Sequence, residues 1–399
     1  MNPPNSIQTS VYWYWISDNI SKEGVIKDLY AMKEVGINRA FIGNIGIDGT
    51  PYGKIKLFSE EWWEVLHTAL KTATELDIEI GIFNSPGWSQ SGGPWVKPEE
   101  SMRYLASSEI KVTGPQKLKQ KLDKPHEVFQ DVKVLAWPIN KANEIISNEN
   151  AKVSSEPHIA GISAAFDGNN ETGITIQKDK PTTIDIVVEN DFVVRSLTIE
   201  TKEKPISAKC LFQVRESNSD EFRTIREFQI NRTNPALHVG FIPYAPISIS
   251  TGKVKAKEFR IIFNSEREGS EIAEIKLEST PRIENYSEKT LAKMWQTPLP
   301  YWDAYLWPNQ AEIDDLETVV KSSEVIDLTA NISEDGMLTW DVPEGDWIVM
   351  RTGMTPTNVT NSPASPEGTG LEIDKMSKKH VESHFNAFLG EIINRIPEA

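Results

Sequence analysis

The sequence predicts two kinds of fold in one chain, α/β plus all-β: a partial (β/α)8 TIM-type barrel interrupted by an inserted β-sandwich. Three observations predict it. Strand and helix periodicities alternate over residues 1–115, short β runs replace them over 116–344, and a strand, loop and helix return over 345–399. In order, Val11–Ile16 reads as a strand, and Ser21 then caps a helix whose Val25, Leu29, Met32 and Val35 share one face before Gly36 stops it. Arg39–Ile45 is the second strand. A loop through Asp48 and Pro51 follows it, then a helix opened by Ser59 with Trp62, Leu66, Ala69, Ala73 and Leu76 along one side. Glu79–Phe83 is the third strand. Such spacing favours parallel strands with crossover helices, which gathers the loops that follow the strands at one end of the sheet. In a barrel, that end carries the chemistry.

From about Gln116, β runs separated by polar turns take over: Lys133–Trp137, Thr183–Val188, Val193–Ile199, Lys209–Val214, Phe259–Phe263 and Ile272–Leu277. Leu197/Ile199, Phe259/Ile261/Phe263 and Ile275/Leu277 each mark one buried face, the pattern of antiparallel sheets packed as a sandwich. Between Lys289 and Glu324, Trp295, Tyr301, Trp302, Tyr305 and Trp307 stand among prolines, a density that suits a glycan cleft or the cover of a domain junction equally. Met337–Val342 and Trp347–Met354 are the last β runs. A Pro/Gly/Ser-rich loop then leads into a helix from Ser377 to about Arg395, so that Trp347–Arg395 reads as a resumed βα unit of the first domain.

With 42 basic against 58 acidic side chains and a net charge of −16, the chain lacks the cationic face that nucleic acid or an anionic membrane needs. Its single Cys210 excludes an intrachain disulfide and any cysteine-based metal site, and alternation with Phe212 and Val214 makes it a core residue. There is no run of about 18 apolar residues and no leader-like start, so a soluble chain is expected.

The richest stretch is Asn84-Ser85-Pro86-Gly87-Trp88-Ser89-Gln90-Ser91-Gly92-Gly93-Pro94-Trp95-Val96, directly after the third strand. Glycines let a backbone approach a ligand, indoles stack on the apolar faces of sugars, and Ser, Asn and Gln exchange hydrogen bonds with hydroxyls. An ordinary Gly/Pro loop with two packing tryptophans has the same composition.

Five stretches in this order resemble the N-terminal part of glycoside hydrolase family 106, the α-L-rhamnosidases. They are Asn2-Pro3-Pro4 leading into Val11-Tyr12-Trp13-Tyr14-Trp15, then Ser21-Lys22-Glu23-Gly24, Ser85-Pro86-Gly87-Trp88-Ser89, Gly92-Gly93-Pro94-Trp95-Val96, and Gly370-Leu371-Glu372-Ile373-Asp374-Lys375 with its following helix. The resemblance implies a barrel interrupted by β-sandwich modules, removal of terminal rhamnose from plant polysaccharides such as pectic side chains, and inversion of configuration. It also implies a bacterial protein exported to the periplasm or beyond, with the export signal absent here. Within the sandwich, Ala165-Phe166-Asp167-Gly168-Asn169-Asn170-Glu171-Thr172 resembles the opening loop of galactose-binding-like modules, with Ile174 where a tryptophan often stands. Residues 1–115 and 345–399 accommodate only about four βα units, whereas a barrel needs roughly 250 residues. The acid and base carboxyls are therefore expected beyond Ala399, with Glu372, alone or paired with Asp374, the candidate inside the chain.

The expected substrate-binding set is Trp13, Trp15, Asn44, Asn84, Ser85, Trp88, Ser89, Gln90, Ser91, Glu372 and Asp374, taken from strand ends and following loops; Asp18 and Asp48 read as solvated loop acids. Gln90 can bond a hydroxyl but cannot transfer a proton. His380 and His384 are four apart on one helix, yet Glu382 does not follow the first histidine directly and no third ligand is evident, so no metal centre is expected there. No cofactor is required; a Ca²⁺ ion is compatible with the oxygen-rich rim. The partner is a rhamnose-containing oligo- or polysaccharide. The alternative is a noncatalytic carbohydrate-binding protein.

Overall fold

The computed structural model describes residues 7–139, 144–178, 180–216, 221–237, 240–290, 292–293 and 316–396. Two compact units emerge, Met1–Ala106 with His126–Gln130 and Met354–Ala399, and Ser107–Pro125 with Asp131–Gly353. The sequence reading had set its divisions at 115 and 344.

The first unit is built on three parallel strands in the order β1 (Ser10–Ile16), β2 (Arg39–Ile45) and β3 (Glu79–Ile82). Helix α1 (Lys22–Glu34) connects the first pair and α2 (Glu60–Glu75) the second. Both helices start where expected: Ser21 Oγ accepts the Gly24 N–H and Ser59 Oγ accepts the Trp62 N–H, satisfying donors that a helix start leaves orphaned. Val25 and Leu29 of α1, with Trp62, Trp63, Leu66 and Ala69 of α2, bury one face of the sheet together with Trp13, Trp15, Ala40 and Ile42. Phe388 and Ile392 from the C-terminal helical segment join this core. That segment runs as Lys378–Phe385, a π-helical turn Asn386–Gly390 and Glu391–Arg395, and Ser377, where the sequence predicts the helix to begin, is its cap.

The sheet's other face carries Tyr12 and Tyr14, stacked 5.9 Å apart, with Phe83 edge-on to Tyr12 at 5.4 Å. Strand alternation dictates this split, odd-numbered tryptophans to the helices and even-numbered tyrosines away from them. The sheet is open at three strands and does not close into a barrel among the described residues.

In the second unit, β6 (Ala151–Glu156), β7 (Ile174–Ile176), β8 (Thr182–Thr201), β9 (Ile206–Arg215), β10 (Arg223–Arg232), β11 (Ile247–Ser265) and β12 (Ser270–Glu278) pair antiparallel throughout. Strand β8 pairs with β6 over its first half and with β12 over its second, and bulges in β11 near Ser250 and Ala256 accompany the change of partner. Two runs expected as separate strands, Thr183–Val188 and Val193–Ile199, are thus one long strand. Ile184, Ile186, Phe212, Phe259, Ile261 and Phe263 are fully buried in the resulting core. Cys210 lies in it too, where burial raises its thiol pKa far above the usual value.

The remaining sheet has the order β13–β5–β14–β4, with β4 Arg103–Lys121, β5 Gln130–Pro138, β13 Ile326–Asp327 and β14 Met337–Pro356. This corrects one expectation. Trp347–Met354 does not add a strand beside β1–β3; it is the second half of β14, whose Trp340, Val342, Trp347 and Val349 bury against Val134 and Ala136 of β5. Its alternating pattern fits either kind of strand, and only pairing separates them. The first unit resumes with the loop after β14. The aromatic stretch containing Trp295, Tyr301, Trp302, Tyr305 and Trp307 lies outside the described residues, as does Asn2-Pro3-Pro4.

Candidate functional site

Two loops of the first unit build the site, 84–96 after β3 and 357–374 after β14. They are knitted through their backbones. The Gly87 N–H donates to Asn44 O at 2.8 Å, the Trp88 N–H to Ser362 O at 3.1 Å and the Gly93 N–H to Leu371 O at 3.2 Å. Asn361 acts as a central strut: its Nδ2 donates to Pro86 O and Gly368 O, both at 2.8 Å, and its Oδ1 accepts the Gly370 N–H at 2.8 Å. Glycine is required at the crossing, because a Cβ on Gly370 would stand 2.1 Å from Gly93 O and one on Gly92, at φ +92°, 2.6 Å from Leu371 O.

A cleft of about 470 Å³ opens beside these loops, lined by Asn84, Ser89, Gln90, Ser91, Ile373, Lys375 and, from the helix that follows, Val381, His384, Phe385 and Leu389. Gln90 sits at φ +60° with its Oε1 accepting the Asn84 N–H at 3.1 Å, which folds its side chain back across the loop. Ser89 Oγ accepts the Ser362 N–H at 2.9 Å. Glu372, 8% exposed, receives Lys375 Nζ at 2.6 Å and the Ser91 hydroxyl at 3.5 Å, so its carboxylate anchors the ammonium at the cleft wall. His384 accepts the Trp95 indole N–H on Nδ1 at 2.9 Å. Burial lowers the His384 pKa below the ordinary histidine value; the Asn84 backbone opposes this and the Lys375 charge adds to it.

Among the expected substrate-binding residues, Asn84, Ser89, Gln90 and Ser91 do line this cleft. Trp88 lies at the loop surface, half exposed, tilted against Tyr14 at 6.1 Å. Glu372 stands behind Lys375 and Ser91.

The others are placed elsewhere. Trp13 and Trp15 are buried on the helix-facing side of β1: the Trp13 indole donates to Asp28 Oδ2 at 3.0 Å and Trp15 packs edge-on against Trp62. They border a different cleft, of about 530 Å³, with Asp18, Asn19, Asp28, Gly53 and Lys54. Asn44 is buried with its Oδ1 accepting the Trp62 indole N–H at 3.1 Å, and Ser85 is fully buried with its hydroxyl turned to Pro86 O. Both brace the loop from inside. Asp374 bonds Arg103 at 3.3 Å and the Met376 N–H at 3.0 Å, so it shapes the start of the helix segment instead of the cleft wall.

Asp18 pairs with Lys56 at 3.1 Å, and Asp48 is exposed. His384 is buried at 6% exposure. Lys375 and Asn361 were not singled out from the sequence, and His384 was weighed only as a metal ligand; the one available signal was that Lys375 closes the last motif stretch.

No group of three His, Cys, Asp or Glu side chains that could hold a metal occurs among the described residues. Nor, among them, is any helix long and apolar enough to cross a membrane.

Comparison with known proteins identifies the family and a solved structure of similar fold. The alpha-L-rhamnosidase family profile, glycoside hydrolase family 106, matches residues 1–399. A solved rhamnosidase from Novosphingobium sp. PP1Y superposes with a TM-score of 0.77 at 26% identity, over 99% of this chain and 37% of that one. A Formosa agariphila protein named putative beta-glucuronidase is 26% identical over 99% of this chain and 22% of its own length. The chain thus spans between about a fifth and two fifths of these relatives. On the match across its whole length, the chain belongs to glycoside hydrolase family 106, the alpha-L-rhamnosidases.

Proposed function

We propose that these residues are the sugar-gripping part of an exported bacterial glycosidase. It removes terminal α-L-rhamnose from pectic polysaccharide with inversion, on a (β/α)8 barrel of which β1–β3 are the first strands. One observation carries the division of labour. The cleft wall offers amides, hydroxyls, an ammonium and an imidazole, with Trp88 nearby, but none of its lining residues carries a carboxyl group. Inversion needs two carboxyls about 6.5–9.5 Å apart around a water, and Glu372 alone, tied to Lys375, does not make that pair. These residues bind; the acid and base come from other residues of the whole protein.

Rhamnose is preferred over glucuronate because the family profile and the 26% identical solved rhamnosidase point to the same sugar, against one relative's name. A noncatalytic carbohydrate-binding protein is the second reading, favoured by the same lack of lining carboxyls.

The test uses the chain and the full-length gene product side by side. L-Rhamnose titrated into the ¹⁵N-labelled 399-residue chain should shift the side-chain amides of Asn84 and Gln90, with D-glucuronate weaker. Trp88→Ala should weaken binding by about tenfold while leaving stability within about 0.5 kcal/mol, since half of this ring is already in solvent. The full-length product should release the aryl group from an aryl α-L-rhamnoside, and this chain should not. Binding without hydrolysis by the full-length product would favour the second reading, and no rhamnose shifts at Asn84 and Gln90 would overturn the site.

A further inference from the structure

We propose, resting on the sugar site described above, that the saccharide held in this cleft bears a carboxylate on the residue next to its terminal rhamnose, and that Lys375 and His384 read that carboxylate. The substrate class is then an α-L-rhamnosyl uronate.

Two chain segments line the cleft, and their chemistry differs. Asn84, Ser89, Gln90 and Ser91 bring amides and hydroxyls, groups that both donate and accept. Along the second segment, from Ile373 to Leu389, Lys375 and His384 are the only polar lining side chains; Val381, Phe385 and Leu389 leave the rest apolar.

Both of those polar groups donate and neither has anything left to accept with. An ammonium has three protons and no lone pair; Glu372 Oε2 takes one at 2.6 Å, and the half-exposed side chain presents the others outward. In His384, Nδ1 is spent on the Trp95 indole N–H at 2.9 Å, so the ring proton sits on Nε2, which is buried and meets no hydrogen-bond partner. The Asn84 backbone favours the charged ring without closing a hydrogen bond to that nitrogen. A buried donor left unmet costs free energy, which an incoming acceptor recovers.

A neutral hydroxyl placed here would bring a proton that nothing on this segment accepts. A carboxylate brings acceptors alone, and its hydrogen bond to an ammonium is charge-assisted. No lining residue carries a carboxyl group to repel it. Glu372 stands behind Lys375, buried and already engaged by that ammonium and by the Ser91 hydroxyl. With a net charge of −16 the chain as a whole repels anions, so selectivity has to come from these short contacts instead of long-range attraction. Phe385, half exposed on the same segment, offers its ring to the apolar face of the uronosyl residue. Free D-glucuronate lacks the rhamnose ring, so it remains the weaker ligand at Asn84 and Gln90.

The experiment is calorimetric titration of the 399-residue chain with α-L-rhamnosyl-D-glucuronate and α-L-rhamnosyl-D-galacturonate, each against its carboxyl-reduced counterpart. Expected is an acid form that binds at least about tenfold tighter than its reduced counterpart, with a shift of the His384 Nε2–H resonance that the reduced form does not cause. Lys375→Gln should bring the two forms level, and Lys375→Arg, which keeps the charge, should retain most of the preference. The parent titration and the imidazole resonance keep the test decisive should Lys375→Gln, which leaves Glu372 unpaired, fail to fold. Equal affinity of acid and reduced forms for both uronates would overturn the proposal while the rhamnose shifts at Asn84 and Gln90, and with them the site, stand. So would a preference that survives Lys375→Gln undiminished. Absence of the rhamnose shifts themselves would remove the site and the carboxylate reading together.

Discussion

The indole N–H of Trp95 donates to Nδ1 of His384 at 2.9 Å, which leaves the imidazole's own proton on Nε2 and fixes the ring as neutral. Protonating Nδ1 would set two donors face to face, inside a region whose burial and neighbouring Lys375 charge already disfavour a second positive charge.

The consequence for stability has a definite sign. With the folded pKa below the unfolded one, the unfolded chain takes up the proton more readily, so stability is intact above about pH 6.5 and declines as the pH falls below it. Denaturant unfolding measured from pH 7.5 down to 5.0 should show this loss, and His384→Gln should flatten it. Trp95→Phe should raise the ring's pKa in an NMR titration, since it removes the opposing donor. A parent His384 titrating at or above the free-histidine value would refute the assignment.

The crossing of the two loops predicts a graded glycine series. Gly92→Ala and Gly370→Ala each force a Cβ into a carbonyl oxygen at 2.6 and 2.1 Å, with backbone on both sides and nothing flexible to yield. Each should cost roughly 3 kcal/mol and abolish the rhamnose-induced shifts at Asn84. Gly49→Ala, at φ +81° with no atom within 4 Å of the new Cβ, isolates the backbone cost alone and should lose only about 1 kcal/mol. Urea unfolding midpoints of the three variants check this order, and a Gly370→Ala midpoint no lower than that of Gly49→Ala would refute it.

In the second unit, Arg351 is 1% exposed and lies in a bidentate pair with Asp131 at 2.6 and 2.8 Å, its third arm donating to Leu122 O at 2.6 Å. The Arg351 hydrogen bond holds the Asp131 carboxyl well below the usual range. Its contribution is therefore present above about pH 3.9 and lost in more acidic solution. Asp131→Ala strands a buried guanidinium and should cost about 2 kcal/mol, less than a fully enclosed pair because Asp131 itself is part-exposed. Arg351→Met, which removes the charge along with its need for a partner, should cost less. If the methionine variant proved the less stable of the two, desolvation would not be what governs this pair.

How much of this was legible in the sequence depends on the range of the interactions involved. The caps Ser21 and Ser59 and the strand Arg39–Ile45 were read correctly because capping and periodicity are local properties of a few consecutive side chains. Trp347–Met354 was read as a strand yet given to the wrong sheet, because pairing partners leave no mark on a strand's own alternation.

Strand alternation alone puts Trp13 and Trp15 on one face, but which face meets the helices is settled only by Asp28 and Trp62. Asn44 and Ser85 have the chemistry of ligand-binding residues and spend it on the protein's own groups. Lys375 and His384 acquire meaning only through Glu372 and Trp95, and no single-sequence pattern announces such company.

Ser91 and Glu372 are 281 positions apart and Trp95 and His384 are 289 apart, with the entire second unit threaded between them. Bringing such distant stretches together is slow and entropically expensive, so the cavity is among the last features that a refolding chain can complete. Saccharide affinity in a refolding experiment would thus double as a clock: the instant at which ligand is first retained dates the moment when the two remote loops have met.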